Sequence, residues 1–148
     1  MSILRHLKTK KEVDDAIRTN EEKVLVLRFG NDNEIGCLQI DDIMSRCAVL
    51  LSEMAIICTI NLEDVPEYVE YFDISHIPAT IFFFNSVPIK IDSGTDDNTK
   101  FVGPFQCKQD FIDLVEVVYR GAMRGKHIVN CPIDRRRISN YQLLFKDF

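Results

Sequence analysis

The sequence predicts a single α/β domain built on a mixed β-sheet with helices on both faces. Three observations carry this expectation. Two aliphatic and β-branched runs, Val24-Leu25-Val26-Leu27 and Ala55 to Ile60, are continuous rather than alternating, as in strands covered on both faces. A segment of helical periodicity lies between them, which makes a βαβ-like unit. Thr80-Ile81-Phe82-Phe83-Phe84 is the strongest strand signal in the chain, and a turn leads from it into a second strand, as in a hairpin.

The elements follow in the order helix, strand, helix, strand, helix, strand, strand, helix. Thr9-Lys10-Lys11-Glu12 has capping-box spacing, and Val13, Ala16 and Ile17 share one face of the helix it opens. Gly30-Asn31-Asp32-Asn33 reads as a turn leading into a helix with the apolar stripe Ile40, Ile43, Met44, Cys47 and Leu51. Asp64 to Glu67 repeats the capping-box spacing, with Pro66 in the first turn, where its missing N–H costs little. Asn85-Ser86-Val87-Pro88 forms the hairpin turn before a strand from Ile89 to Asp92, since proline suits a turn or an edge. The final helix spans about Lys108 to Arg120, with Phe111, Leu114, Val115 and Val118 spaced for burial. Gly121 and Gly125 loosen its end, and Cys131-Pro132 stops any continuation.

Composition narrows the class. At 148 residues, with 46% hydrophobic and 28% charged residues, the chain fits one ordinary globular domain. No apolar run approaches the roughly 20 residues of a membrane span. The opening MSILRHLKTKKEVDD is too short in apolar residues for a secretory h-region, leaving cytosol or nucleus as the default. The five cysteines, Cys37, Cys47, Cys58, Cys107 and Cys131, are irregularly spaced and contain no CxxC. That argues against a disulfide framework and against a zinc site with its close pairs of ligands; no cofactor or metal is expected. Cys47 on its helical stripe and Cys58 inside AIICTI read as small buried hydrophobes. Charge is uneven: Tyr119 to Phe148 holds seven basic and two acidic residues, the preceding chain 11 and 21. The basic end is either a solvated tail or a contact for an acidic partner.

The segment VLVLRFGNDNEIGCLQIDDI resembles the first central strand of thioredoxin running into its active-site helix, and ISHIPATIFFF resembles the stretch holding the cis-proline. The resemblance implies a thioredoxin-like fold, with Pro78 in the cis-proline place. Disulfide exchange needs two thiols two residues apart at a helix N-terminus, one activated by the helix dipole and one resolving. Alignment on Phe29 puts Glu34 at the attacking position and Cys37 at the resolving one. Asn33 replaces the tryptophan, and Arg28 replaces the buried acid. Ala79 follows Pro78, so no second cysteine stands there to pair with Cys37. Glu34 in a first helical turn suits the dipole. Arg28 is expected to snorkel or to pair with a carboxylate such as Asp32. Cys37, one turn into the helix, is expected to be shielded.

VLRFG, YFDISHIPATIFFFN, TKFVG, KQDFIDLVEVVYRGAMRGK and PID together resemble the spliceosomal thioredoxin-like (Dim-type) family, and within it the thioredoxin-like protein 4B branch. Ile35-Gly36 departs from the family, where a proline often precedes the cysteine. The resemblance implies a nuclear, non-enzymatic protein of pre-mRNA splicing, linked to the cell cycle. It also implies binding to the pre-mRNA processing factor that bridges the tri-snRNP, and homodimerisation. The expected layout is a thioredoxin-like domain over residues 1–120 and a basic C-terminal extension, 121–148, packed on or appended to it. Candidate contacts are Arg120, Arg124 and Lys126, with Tyr141, Leu144 and Phe145 as apolar anchors. The same residues also fit a helix C-terminus with favourable dipole charges and a tail folded back on the domain. The alternative function is a one-thiol redox enzyme or sensor using Cys37, which needs an accessible thiolate. Direct RNA binding is disfavoured, because base stacking needs exposed aromatics and most here belong to expected core elements.

Overall fold

A computed structural model describes residues 4–20, 22–94 and 97–138. Its strands are β1 (Arg5–Leu7), β2 (Val24–Gly30), β3 (Ala55–Asn61), β4 (Ala79–Phe84), β5 (Val87–Asp92), β6 (Phe101–Val102) and β7 (Ile128–Asn130). The helices are α1 (Lys10–Thr19), α2 (Ile35–Cys47), α3 (Pro66–Tyr71) and α4 (Lys108–Met123). The strands form one path, β1-β3-β2-β4-β5-β7, with β6 paired to β4. β2 runs parallel to β3 and antiparallel to β4, so the sheet is mixed as expected.

β2 alternates between two cores. Val24 and Val26 join α2 and α4 on one face; Leu25, Leu27 and Phe29 join α1 and α3 on the other. Every β2 residue is buried, which explains why its sequence is a continuous apolar run broken only by Arg28. Thr9 caps α1, its Oγ1 accepting from Glu12 N–H at 3.1 Å. The Glu12 carboxylate accepts from Lys8 N–H at 3.3 Å, one residue earlier than the usual box.

Several expected boundaries shift. Asp64 does not cap α3. It belongs to a 3₁₀ turn, Leu62–Asp64, and fully buried Val65 takes the cap position with no side-chain bond. The hairpin turn is only Asn85-Ser86, both at positive φ, as a two-residue turn of the I′ kind requires. Pro88 therefore lies inside β5, opposite Phe83. It is tolerated because β7 pairs only with Lys90 to Asp92, leaving Pro88 on an open stretch of edge.

Gly121 does not loosen α4. The helix runs on to Met123 and ends in a Schellman arrangement. There Lys126 N–H bonds Gly121 C=O at 2.9 Å and Gly125 N–H bonds Ala122 C=O at 2.9 Å, with Gly125 at φ +84°. A Cβ on Gly121 would stand 2.5 Å from Val129 Cγ1, so glycine is what lets β7 approach the helix. The residue-120 boundary thus falls inside α4, and Ile128 to Asn130 adds a strand to the sheet. β1, β6 and β7 have two or three residues each, too few to show periodicity; their neighbours in the sheet define them.

Candidate functional site: a capped helix where a dithiol would stand

The C-terminal end of β2 delivers the chain to the N-terminus of α2, the place where thioredoxin chemistry would occur. Glu34 is the N-cap of α2, one position earlier than a first-turn residue. Its carboxylate accepts from Gly36 N–H at 3.0 Å and from Cys37 N–H at 2.9 Å. These are the amides that would stabilise an anion at this end of the helix. They are already occupied by a side chain that is not a nucleophile toward sulfur.

Cys37 has no exposed surface. Its sulfur accepts from Asn31 N–H at 3.4 Å, and a Cβ on Gly30 would lie 2.4 Å from it. Burial pushes the thiol pKa up, and the Asn31 N–H and the nearby Arg28 charge do not offset it. Asn33 is exposed in the preceding turn, its N–H bonded to Asn31 Oδ1 at 2.9 Å. The Ile77-Pro78 bond is cis. A Cβ on Gly36 would meet Pro78 Cδ at 3.1 Å, so the proline loop lies directly against the first turn of α2.

Arg28 does not snorkel. Its side chain is 0% exposed, and its main partner is Asp41 of α2. Nε and Nη2 bind the two Asp41 oxygens at 2.8 and 2.6 Å; Nη1 reaches Ile60 C=O and Nη2 reaches Asp32, each at 3.3 Å. Burial opposes the charge, but the Asp41 hydrogen bond and charge outweigh it and hold the guanidinium pKa up. Nothing in the local sequence singles out Asp41. A single arginine inside an apolar strand signals a buried partner, but two carboxylates, Asp41 and Asp42, adjoin on α2, and only the folded face chooses between them. Also unanticipated are the exposed apolar residues of the same helix, Ile35 at 80% and Leu38 at 54%.

The basic candidates lie elsewhere, at the C-terminal end of α4. Arg120 pairs with Glu116 at 3.3 Å; Arg124 and Lys126 are exposed and enter no ion pair with any described residue. Tyr141, Leu144 and Phe145 lie outside the described residues. Among the described residues no cluster of His, Cys, Asp or Glu could hold a metal ion, and no helix is long and apolar enough to cross a membrane.

Fold and site together define a thioredoxin-fold protein whose dithiol position is taken by a helix cap. Solved thioredoxins share the fold. That of Malassezia sympodialis superposes with a TM-score of 0.62 at 12% identity, over 80% of this chain and 93% of that one. That of Plasmodium falciparum gives 0.62 at 16%, over 76% and 97%. The family model described as Mitosis protein DIM1 matches residues 3–135, and the chain belongs to that family. Thioredoxin-like protein 4B of Mus musculus is 56% identical over 98% of this chain and 97% of its own length. Mitosis protein dim1 of Schizosaccharomyces pombe is 34% identical over 88% and 92%. Spliceosomal protein DIB1 of Saccharomyces cerevisiae is 30% identical over 93% and 97%.

Proposed function

We propose that the protein is a non-catalytic interaction subunit of the nuclear pre-mRNA splicing machinery. The observation that carries the non-catalytic part is the Glu34 carboxylate bonded to the Gly36 and Cys37 amides, where an activated thiolate would have to sit. The splicing part is supported by relatives whose names are spliceosomal, at 30% identity over nearly the full chain. In this reading the scaffold is kept for its surfaces. The partner is the pre-mRNA processing factor bridging the tri-snRNP, the compartment is the nucleus, and the protein forms homodimers.

Two measurements test this. Immunodepletion from nuclear extract should reduce splicing of a reporter pre-mRNA, and the purified chain should restore it. Failure to restore, or unimpaired splicing after depletion, would remove the splicing role. Insulin reduction tests the catalytic half: no turnover above buffer is expected, and turnover abolished by Cys37→Ser would reverse the reading. The one-thiol alternative needs solvent access that the 0% exposure of Cys37 denies.

A further inference from the structure

Among the described residues the sheet ends on β7, whose outer edge pairs with no further strand. β7 pairs with β5 in parallel, Lys90 opposite Ile128 and Asp92 opposite Asn130. Lys90 N–H bonds His127 C=O and Cys131 N–H bonds Asp92 C=O, each at 2.8 Å. In a parallel ladder that register turns the backbone groups of alternate residues inward. His127, Val129 and Cys131 therefore face β5, and the N–H and C=O of Ile128 and Asn130 face away from it. No described residue meets these outward groups. Apolar surface lies on β7 itself, where Ile128 is 47% exposed.

Basic residues outnumber acidic ones around this edge, although Asp92 of β5 lies opposite Asn130, and Arg120 and Arg137 are already paired with Glu116 and Asp110. Between Tyr119 and Ile138 there are six basic residues and a single acidic one, Asp134, which is bonded to Arg136. Arg124 and Lys126, in the link from α4 to β7, and Lys90, opposite Ile128 in β5, are exposed and enter no ion pair with any described residue. The rest of the chain is strongly acidic, so this patch stands apart from its own molecule.

We propose that the β7 edge is a docking site for an extended acidic segment of a partner protein, added as a further strand beside Ile128 to Asn130. The outward N–H and C=O groups supply the main-chain bonds, Ile128 supplies apolar contact, and Arg124, Lys126 and Lys90 select for Asp and Glu. Two other occupants fit less well. A second copy pairing through the same edge would bring two basic patches together, which like charge opposes. RNA would meet the charges but has no peptide backbone to complete the ladder, the feature on which the edge geometry rests. The site deepens the interaction role proposed above but rests on the edge geometry, so its test uses purified components and no extract.

The full-length chain is used to select binders from a displayed library of short random peptides. Enrichment of acidic peptides with alternating apolar residues is expected. On binding, hydrogen exchange at the Ile128 and Asn130 amides should slow. The charge-reversed variant R124E/K126E, checked for folding by circular dichroism, should bind the selected peptide at least about tenfold more weakly. Backbone N-methylation of that peptide at alternate residues should abolish binding in one phase of the alternation only. The proposal is overturned if no acidic peptide is enriched, if R124E/K126E binds equally well, or if exchange at Ile128 and Asn130 is unchanged. Preferential capture of a uridine oligonucleotide at physiological salt, or protection of the edge by self-association, would equally overturn it. Each of these outcomes leaves the extract-depletion result standing.

Discussion

Arg28 and Asp41 act as a pair: a fully buried guanidinium held through two nitrogens by one carboxylate. Removing one member strands the other's charge or hydrogen bonds, which costs about 3–5 kcal/mol for a buried pair. Asp41→Ala should therefore lower stability by about 3 kcal/mol in urea titration, since Asp41 keeps partial solvent access. Replacing both residues with apolar ones of similar volume should cost much less. Cysteine chemistry is also settled residue by residue. Cys37, Cys47 and Cys58 are buried and Cys107 is exposed, so a thiol reagent should label Cys107 first and the buried three only on unfolding. Burial pushes the Cys58 thiol from 9.0 up to about 11. The unfolded thiol then ionises first as pH rises, so the folded state holds more protons and stability falls between those two values. The slope approaches about 1.4 kcal/mol per pH unit for this group, and Cys58→Ala should flatten it in denaturation curves run at successive pH values.

At the level of the element, helix ends separate what short motifs encode from what neighbours impose. Thr9 and Glu12 close the start of α1 locally, as their spacing indicates. Glu34 closes α2, and Glu34→Ala should cost about 1 kcal/mol in thermal or urea unfolding, the usual size of a lost cap. Gly121 is the opposite case. Its sequence context reads as a helix end, yet its role is to admit Val129 against α4. Gly121→Ala should destabilise by about 1–3 kcal/mol through overpacking, despite the better helix propensity of alanine. If Gly121→Ala were stabilising, the β7–α4 contact would be looser than described. Asp64 likewise has the spacing of a cap and is drawn into a 3₁₀ turn, because the burial of Val65 fixes where α3 begins.

Across the whole molecule, charge is segregated. A chain with an isoelectric point near 5.2 carries a basic end built from the last turn of α4 and the residues after β7. The protein should therefore bind both anion- and cation-exchange resins at neutral pH and low salt. R124E/K126E should lose most of the cation-exchange retention, and salt should release the wild type readily because these charges are solvent-exposed. Dimer formation belongs to this scale too. Sedimentation over a range of concentrations should show reversible association, and a monomer at every concentration would remove the homodimer from the functional reading.

The sequence by itself determined the α/β class, the long buried strands, the helix between β2 and β3, the cis-proline and the absence of paired thiols. The strands, the helix and the missing thiol pair are written in local runs of residue type; the cis-proline is what the resemblance to thioredoxin implies. Tertiary structure alone decided that Asp41, not Asp32, is the main partner of Arg28. It also decided that Gly121 is a contact and that β7 extends the sheet beyond β5. Each depends on which surfaces meet after the chain has folded: Arg28 and Asp41 are 13 positions apart, and α4 separates β5 from β7, so no local spacing announces the meeting.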